Sequence, residues 1–156
     1  MKARSTAARA ASPPADAGYE VDFYAWSMAQ AQLIRDGAFD ALDRANLAEE
    51  IECLGREQFS KLRSAFRVLL MHMLKWDHQP ERRSRSWAGT IATQRLDILD
   101  VLEDNPSLKS RIEDAAAAAY RRARIEAARE TELPLRTFPE INPYALKDMM
   151  ERAFDL

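Results

Sequence analysis

The sequence is poor in the residues on which several familiar chemistries depend. It has one cysteine, Cys53, so no disulfide can form within the chain and a Cys-rich zinc site is excluded. A single thiol fits a reducing compartment, and the cytoplasm is the expected location. Four glycines, and only 15 Val, Ile and Thr together, leave little material for strands and hairpins. There is no Gly-rich phosphate loop, no Gly-x-Ser-x-Gly elbow and no Glu-x-x-His pair. No apolar run approaches the ~18 residues needed to cross a bilayer, so no membrane span is expected. Charge of one sign is also lacking. The 156 residues carry a formal net charge of −2, which gives no bulk attraction to polyanions.

What is present is helix-forming material. Apolar residues make up 47% of the chain and charged residues 31%, enough to build a core, and alanine alone supplies 27 positions. Residues 1–18 stand apart. They are mostly Ala, Ser, Arg and Pro, without Leu, Ile, Val or an aromatic ring, and are expected to form a disordered tail. The Arg/Ser bias resembles a transit peptide, but the apolar face of one is missing. Residues 19–156 are expected to form a single domain.

The pattern predicts an all-α, antiparallel bundle of four to five helices. The first should run from Asp22, a plausible N-cap, to Asp36, with Gly37 following and Phe23, Trp26, Leu33 and Ile34 on its inner face. The second is the spine, from near Asp43 to just before Pro80. Leu47, Ile51, Leu54, Leu62, Phe66, Leu69, Met73 and Trp76 recur at threes and fours along about 45 Å of helix. Gly55 in its interior suggests the close approach of another helix, or else a kink. The third helix should begin at Ser86 and end near Asp104. The fourth should run from Ser107 to Arg129 on a slim stripe through Leu108, Ile112, Ala115, Ala119 and Ile125. Pro134 and Pro139 then impose an extended strap, and a short last helix is expected from Asn142-Pro143 to Phe154.

Three sets of residues could carry chemistry. Glu49, Glu50, Glu52, His72 and His78 are the ligand types of metal-binding bundles, but their spacing is wrong for a shared ion on one helix, and no metal or other cofactor is expected. The same acids could act as general acid or base. Helix-end electrostatics and a Glu52/Arg56 pair account for them without catalysis. Cys53 lacks a neighbouring base and reads as a buried thiol. No catalytic motif is recognisable. The third set is the turn between the second and third helices. Arg82, Arg83 and Arg85 precede a helix N-terminus that is already positive, with Ser84 and Ser86 beside them. Something negative should compensate. Either the turn binds an anion or a nucleic-acid phosphate, or Glu126, Glu130 and Glu132 fold back from the fourth helix and clasp the arginines.

Several blocks resemble a known family. They are Asp22-Phe23-Tyr24-x-Trp26, Asn46-Leu47-Ala48-Glu49-Glu50-Ile51-Glu52-x-Leu54-Gly55, Leu70-Met71-His72-x-Leu74-Lys75-Trp76, Gln79-Pro80-Glu81-Arg82-Arg83-Ser84-x-Ser86-Trp87 and Leu133-Pro134-x-x-Thr137-Phe138-Pro139. In this order, over nearly all of residues 19–156, they resemble the bacterial domain of unknown function 29 family. The resemblance implies a small bacterial helical domain and no particular activity. The leading expectation is a non-enzymatic interaction module. A nucleic-acid-associated protein, binding or cleaving through the arginine turn, is the alternative, and a metal-dependent bundle enzyme the second alternative. A homodimer could form by antiparallel pairing of two spines, bringing the acidic start of one against the basic turn of the other.

Overall fold

A computed structural model describes residues 18–156, so the tail expected at the N-terminus lies, Gly18 apart, outside the described residues. The described residues contain five α-helices and no strand: α1 (Phe23–Arg35), α2 (Arg44–His78), α3 (Arg85–Asp104), α4 (Ile112–Thr131) and α5 (Leu146–Glu151). Single 3₁₀ turns occupy Phe39–Ala41, Pro80–Arg82 and Leu135–Thr137, and a longer one occupies Pro106–Arg111. The chain divides into two compact units, one ending at Cys53 and one comprising Leu54–Leu156.

In the first unit, Asp22 caps α1 by accepting from the Ala25 N–H at 2.9 Å. Gly37 follows α1 at φ +71°, the left-handed conformation in which glycine is unstrained. The buried face of α1 is Trp26, Gln30 and Leu33. Phe23 and Ile34, expected inside, are about half exposed. A small polar knot ties α1 to the start of α2. The Trp26 indole N–H donates to Asp43 at 3.2 Å, the Asp43 backbone N–H donates to Gln30 Oε1 at 2.9 Å, and Asn46 donates to Asp43 at 2.7 Å.

The second unit holds the core. Leu62, Phe66, Leu69, Leu70, Met73 and Leu74 of α2 are fully buried with Ile91 and Ile98 of α3, and Leu102 of α3 is buried beside them. Five buried alanines of α4 (Ala115, Ala116, Ala119, Ala123 and Ala127) lie in the same cluster. Ile125, expected in that stripe, is 60% exposed, and α4 packs through its alanine edge together with buried Tyr120. The three helices run up, down, up. Lys75 of α2 reaches Trp87 near the start of α3, whereas Lys61 and Ala65 lie beside Asp97 and Val101 further along it, so α2 and α3 are antiparallel. Arg67 pairs with Glu126 and Lys75 with Glu130, so α2 and α4 advance in the same sense.

The strap behaves as a clamp. Phe138 is buried, the Tyr120 hydroxyl donates to the Pro139 carbonyl at 2.7 Å, and Arg124 donates to the carbonyl of Phe138 at 3.0 Å. The last helix starts later than expected. Asn142 Oδ1 accepts from the Tyr144 N–H at 3.1 Å, a local turn, and α5 begins only at Leu146. The C-terminal segment is fixed to α2 by Asp77, which accepts from the Tyr144 hydroxyl at 2.8 Å and from both terminal nitrogens of Arg152. Burial alone would raise the Asp77 pKa, but the Arg152 and Tyr144 hydrogen bonds outweigh it and hold the carboxyl below its ordinary range.

Two further expectations fail on local geometry. Gly55 has no close neighbour among the described residues, because a Cβ built there meets nothing within 4 Å. Cys53, expected to be buried, is exposed. Both belong to the front of α2, where Ile51 and Leu54 of the predicted stripe are 67% and 61% exposed.

Candidate functional site

The arginine turn follows from how α2 ends. Pro80 cannot donate into the helix above it, and the chain makes one 3₁₀ turn through Pro80–Arg82. Buried Gln79 fixes the turn by donating to the Thr131 carbonyl at 3.3 Å. Ser84, not Ser86, caps α3, its hydroxyl accepting from the Trp87 N–H at 3.3 Å. Arg83 folds inward. Its Nε donates to the Trp76 carbonyl at 2.9 Å, and its guanidinium lies 5.3 Å from the centre of the Trp76 ring. It satisfies an orphan carbonyl at the C-terminal end of α2 and complements that end's negative dipole.

Five residues singled out in the sequence therefore lie within one turn, in two different states. Arg83 and Ser84 are committed to structure. Arg82, Arg85 and Ser86 are exposed, as Arg83 is, but their side chains have no hydrogen bond or ion pair among the described residues. The expected glutamate clasp does not form, because among the described residues none of the three arginines makes an ion pair. The acids are engaged by cations of α2 instead. Glu126 pairs with Arg67, and Glu130 with Lys75 at 2.6 Å. Helix α4 does return to the level of the turn, but these two acids face α2. Glu132 ends α4 in the left-handed conformation, φ 60°, with an exposed side chain. Lys75 is itself buried, and its ammonium also lies 4.6 Å from the centre of the Trp87 ring.

The metal-type residues are scattered among ordinary roles. Glu50 accepts the Tyr19 hydroxyl, which pushes the Tyr19 pKa up to about 12. His72 is half-buried, with Nδ1 2.9 Å from the Val68 carbonyl one turn earlier. Burial lowers its pKa, and Lys75 adds to the effect. The His78 ring stands edge-on to Phe138 at 4.9 Å. Among the described residues no group of three or more His, Cys, Asp or Glu is placed to hold a metal ion. No helix among them is long and apolar enough to cross a membrane.

The feature that sequence reading missed is the outer side of α1. Arg35 is its only charged residue in thirteen. Tyr24 and Met28, four apart and so on one side, lie about 200° round the helix from Trp26 and are 74% and 50% exposed. Near-absence of charge was the available signal, since a surface helix normally carries charge on its outer face. In the same unit, Val21, Phe39 and Ile51 are also exposed.

Residues 19–155 match the model of the family described as Domain of unknown function DUF29, and the chain belongs to that family. No curated protein and no solved structure matches the chain.

Proposed function

We propose that this chain is a non-enzymatic interaction module of the bacterial cytoplasm, and that its partner through the outer side of α1 is a second copy of itself. The observation that carries the reading is α1. It carries one charge in thirteen residues, and its outer side presents Tyr24 and Met28 to solvent where a surface helix ordinarily carries charge. Aromatic and Met side chains with little charge are the composition of the core of a protein interface. A nearly uncharged face can meet its own copy about a two-fold axis without repulsion. The exposed thiol of Cys53 fits the reducing compartment. Sedimentation of the full chain over a wide concentration range tests the reading. A dimer is expected, reduced to monomer by Tyr24→Ser combined with Met28→Ser. A wild-type monomer at every concentration refutes it.

A second reading has its own support. Arg82, Arg85 and Ser86 are exposed beside the positive N-terminus of α3, without an acid pairing the arginines among the described residues. In this reading the turn contacts phosphates of nucleic acid, for binding or for cleavage. Its mark is a gel-shift affinity that falls steeply with salt and weakens for all sequences alike in Arg82→Ala. Insensitivity to that substitution removes the turn from consideration.

A further inference from the structure

A different surface holds the larger concentration of uncompensated charge. Between α2 and α4, in the second unit, lies an open cavity of about 540 Å³. From α2 it is lined by Ser60, Arg63, Ser64 and Arg67, and from α4 by Arg121 and Arg122. Spacing explains the convergence. Residues 60, 63, 64 and 67 form one side of α2, while 121 and 122 are neighbours on α4, which runs alongside in the same sense. Ala118 and Ala119 line the cavity between them, and such small side chains leave room for a ligand to approach the helix.

The four guanidiniums are not equivalent. Arg67 pairs with Glu126, which fixes it at the inner edge and neutralises one charge. Arg63, Arg121 and Arg122 are exposed, and none has an ion-pair or hydrogen-bond partner among the described residues. The same holds for the Ser60 and Ser64 hydroxyls. Like charges converging on one cavity repel, and here a single carboxylate offsets four of them. The arrangement supplies planar bidentate donors from two sides and hydroxyl donors from one, with three unbalanced positive charges. A single phosphate carries too little charge to balance three unpaired guanidiniums. A chain of two or three linked phosphoryl groups matches the charge and offers several oxygens to guanidiniums arriving from both helices. The cavity also falls within the size range of small-ligand sites.

We infer that this cleft binds a polyphosphate, either free or as the di- or triphosphate of a nucleotide, gripped by Arg63 from α2 and by Arg121 and Arg122 from α4. The site is independent of the α1 face and of the arginine turn, and needs neither a dimer nor a nucleic acid. The test is calorimetric titration of the full chain with sodium tripolyphosphate, ATP and AMP at constant ionic strength. Thermal denaturation with the same compounds gives a second readout. Tripolyphosphate should bind and raise the melting temperature by mass action beyond chloride of equal ionic strength. AMP should bind at least about tenfold more weakly, because it offers fewer charge-assisted bonds. Equal affinity for tripolyphosphate and ATP identifies a free phosphate chain as sufficient, and tighter ATP binding identifies a nucleotide; both support the site. Arg63→Gln with Arg121→Gln should reduce tripolyphosphate affinity at least about tenfold. Both side chains are exposed and their removal relieves like-charge repulsion, so the melting temperature in chloride should not fall. Arg82→Gln should bind as wild type does. The inference is overturned by no tripolyphosphate binding, by binding that survives the double substitution, or by AMP binding as tightly as tripolyphosphate.

Discussion

The front and the rear of α2 carry the same sequence signal and have opposite surroundings. Ile51 and Leu54 continue the three-and-four spacing that leads to Leu62, Phe66, Leu69 and Met73. The first pair is mostly exposed, and the other four are fully buried. The difference lies in what the rest of the chain brings alongside. In the second unit, α3, the alanine edge of α4 and Phe138 of the strap enclose the rear stripe. In the first unit, α1 contributes three buried residues and a polar knot around Asp43. An amphipathic pattern states which side of a helix can be covered. It does not state whether this chain covers it or leaves it for another.

The largest expected effect breaks the well-covered end. Leu69→Ala removes a fully buried side chain from the central cluster and should cost about 2–5 kcal/mol. Denaturant titration measures it. A loss below about 0.5 kcal/mol, the size of an ordinary surface change, would place Leu69 outside the core.

Acid should act next, and on the same unit. Asp77 holds the C-terminal segment through Tyr144 and Arg152. A carboxyl whose folded pKa lies below its unfolded value of about 3.9 contributes fully above that value and stops contributing as pH falls through the lower, folded one. Stability measured against pH should therefore drop below about pH 4. Asp77→Asn should be less stable at neutral pH and show a shallower decline on acidification. His72 adds an earlier step of the same sign. Its neutral form is favoured in the fold, so its contribution starts to fall as pH drops below about 6.5. The Asp77 effect is smaller than the loss of Leu69, because the Arg152 side chain is 35% exposed and solvent screens the pair.

These contrasts show which parts of the molecule local sequence could convey. Helix positions were legible, because caps and breakers act within a few residues. Asp22, Gly37, Pro80 and Asn105-Pro106 bound the helices near where the pattern put them. The choice of Ser84 over Ser86 as the cap of α3 was not, since each stands ahead of a helical run and only the register of the turn decides. The partners of the arginine turn were also hidden. That α4 returns to the turn follows from loop lengths, but the direction in which Glu126 and Glu130 point depends on its rotation about its own axis. The cleft arginines were harder still. Arg63 and Arg67 are visible as a pair at i, i+4, but their convergence with Arg121 and Arg122 requires knowing that α2 and α4 run side by side in the same sense.

Gly55 offers a test of opposite sign. It stands in the interior of α2 and, among the described residues, a Cβ there meets nothing within 4 Å. Gly55→Ala should therefore stabilise the chain, by up to about 1 kcal/mol, because alanine is the better helix former. Thermal and denaturant melts should both move upward. Destabilisation would mean that another surface approaches the helix there in solution, as it would if the front of α2 were covered by a partner.

The smallest effect sharpens the comparison most, because it repeats the first substitution at the other end of the helix. Leu54→Ala deletes the same atoms as Leu69→Ala, from a side chain that is 61% exposed rather than fully buried. Little apolar surface returns to water, and alanine suits the helix at least as well as leucine. The change in a monomeric chain at low concentration should stay within about 0.5 kcal/mol. Concentration then becomes the decisive variable. If the front of α2 stays uncovered, the small difference between Leu54→Ala and wild type will be the same at every protein concentration. If a second copy covers it, the penalty will grow with concentration, because wild type alone gains the full stability of association. A penalty of 2 kcal/mol or more in dilute monomer would contradict the exposure of Leu54 itself and would remove the contrast between the two ends of α2.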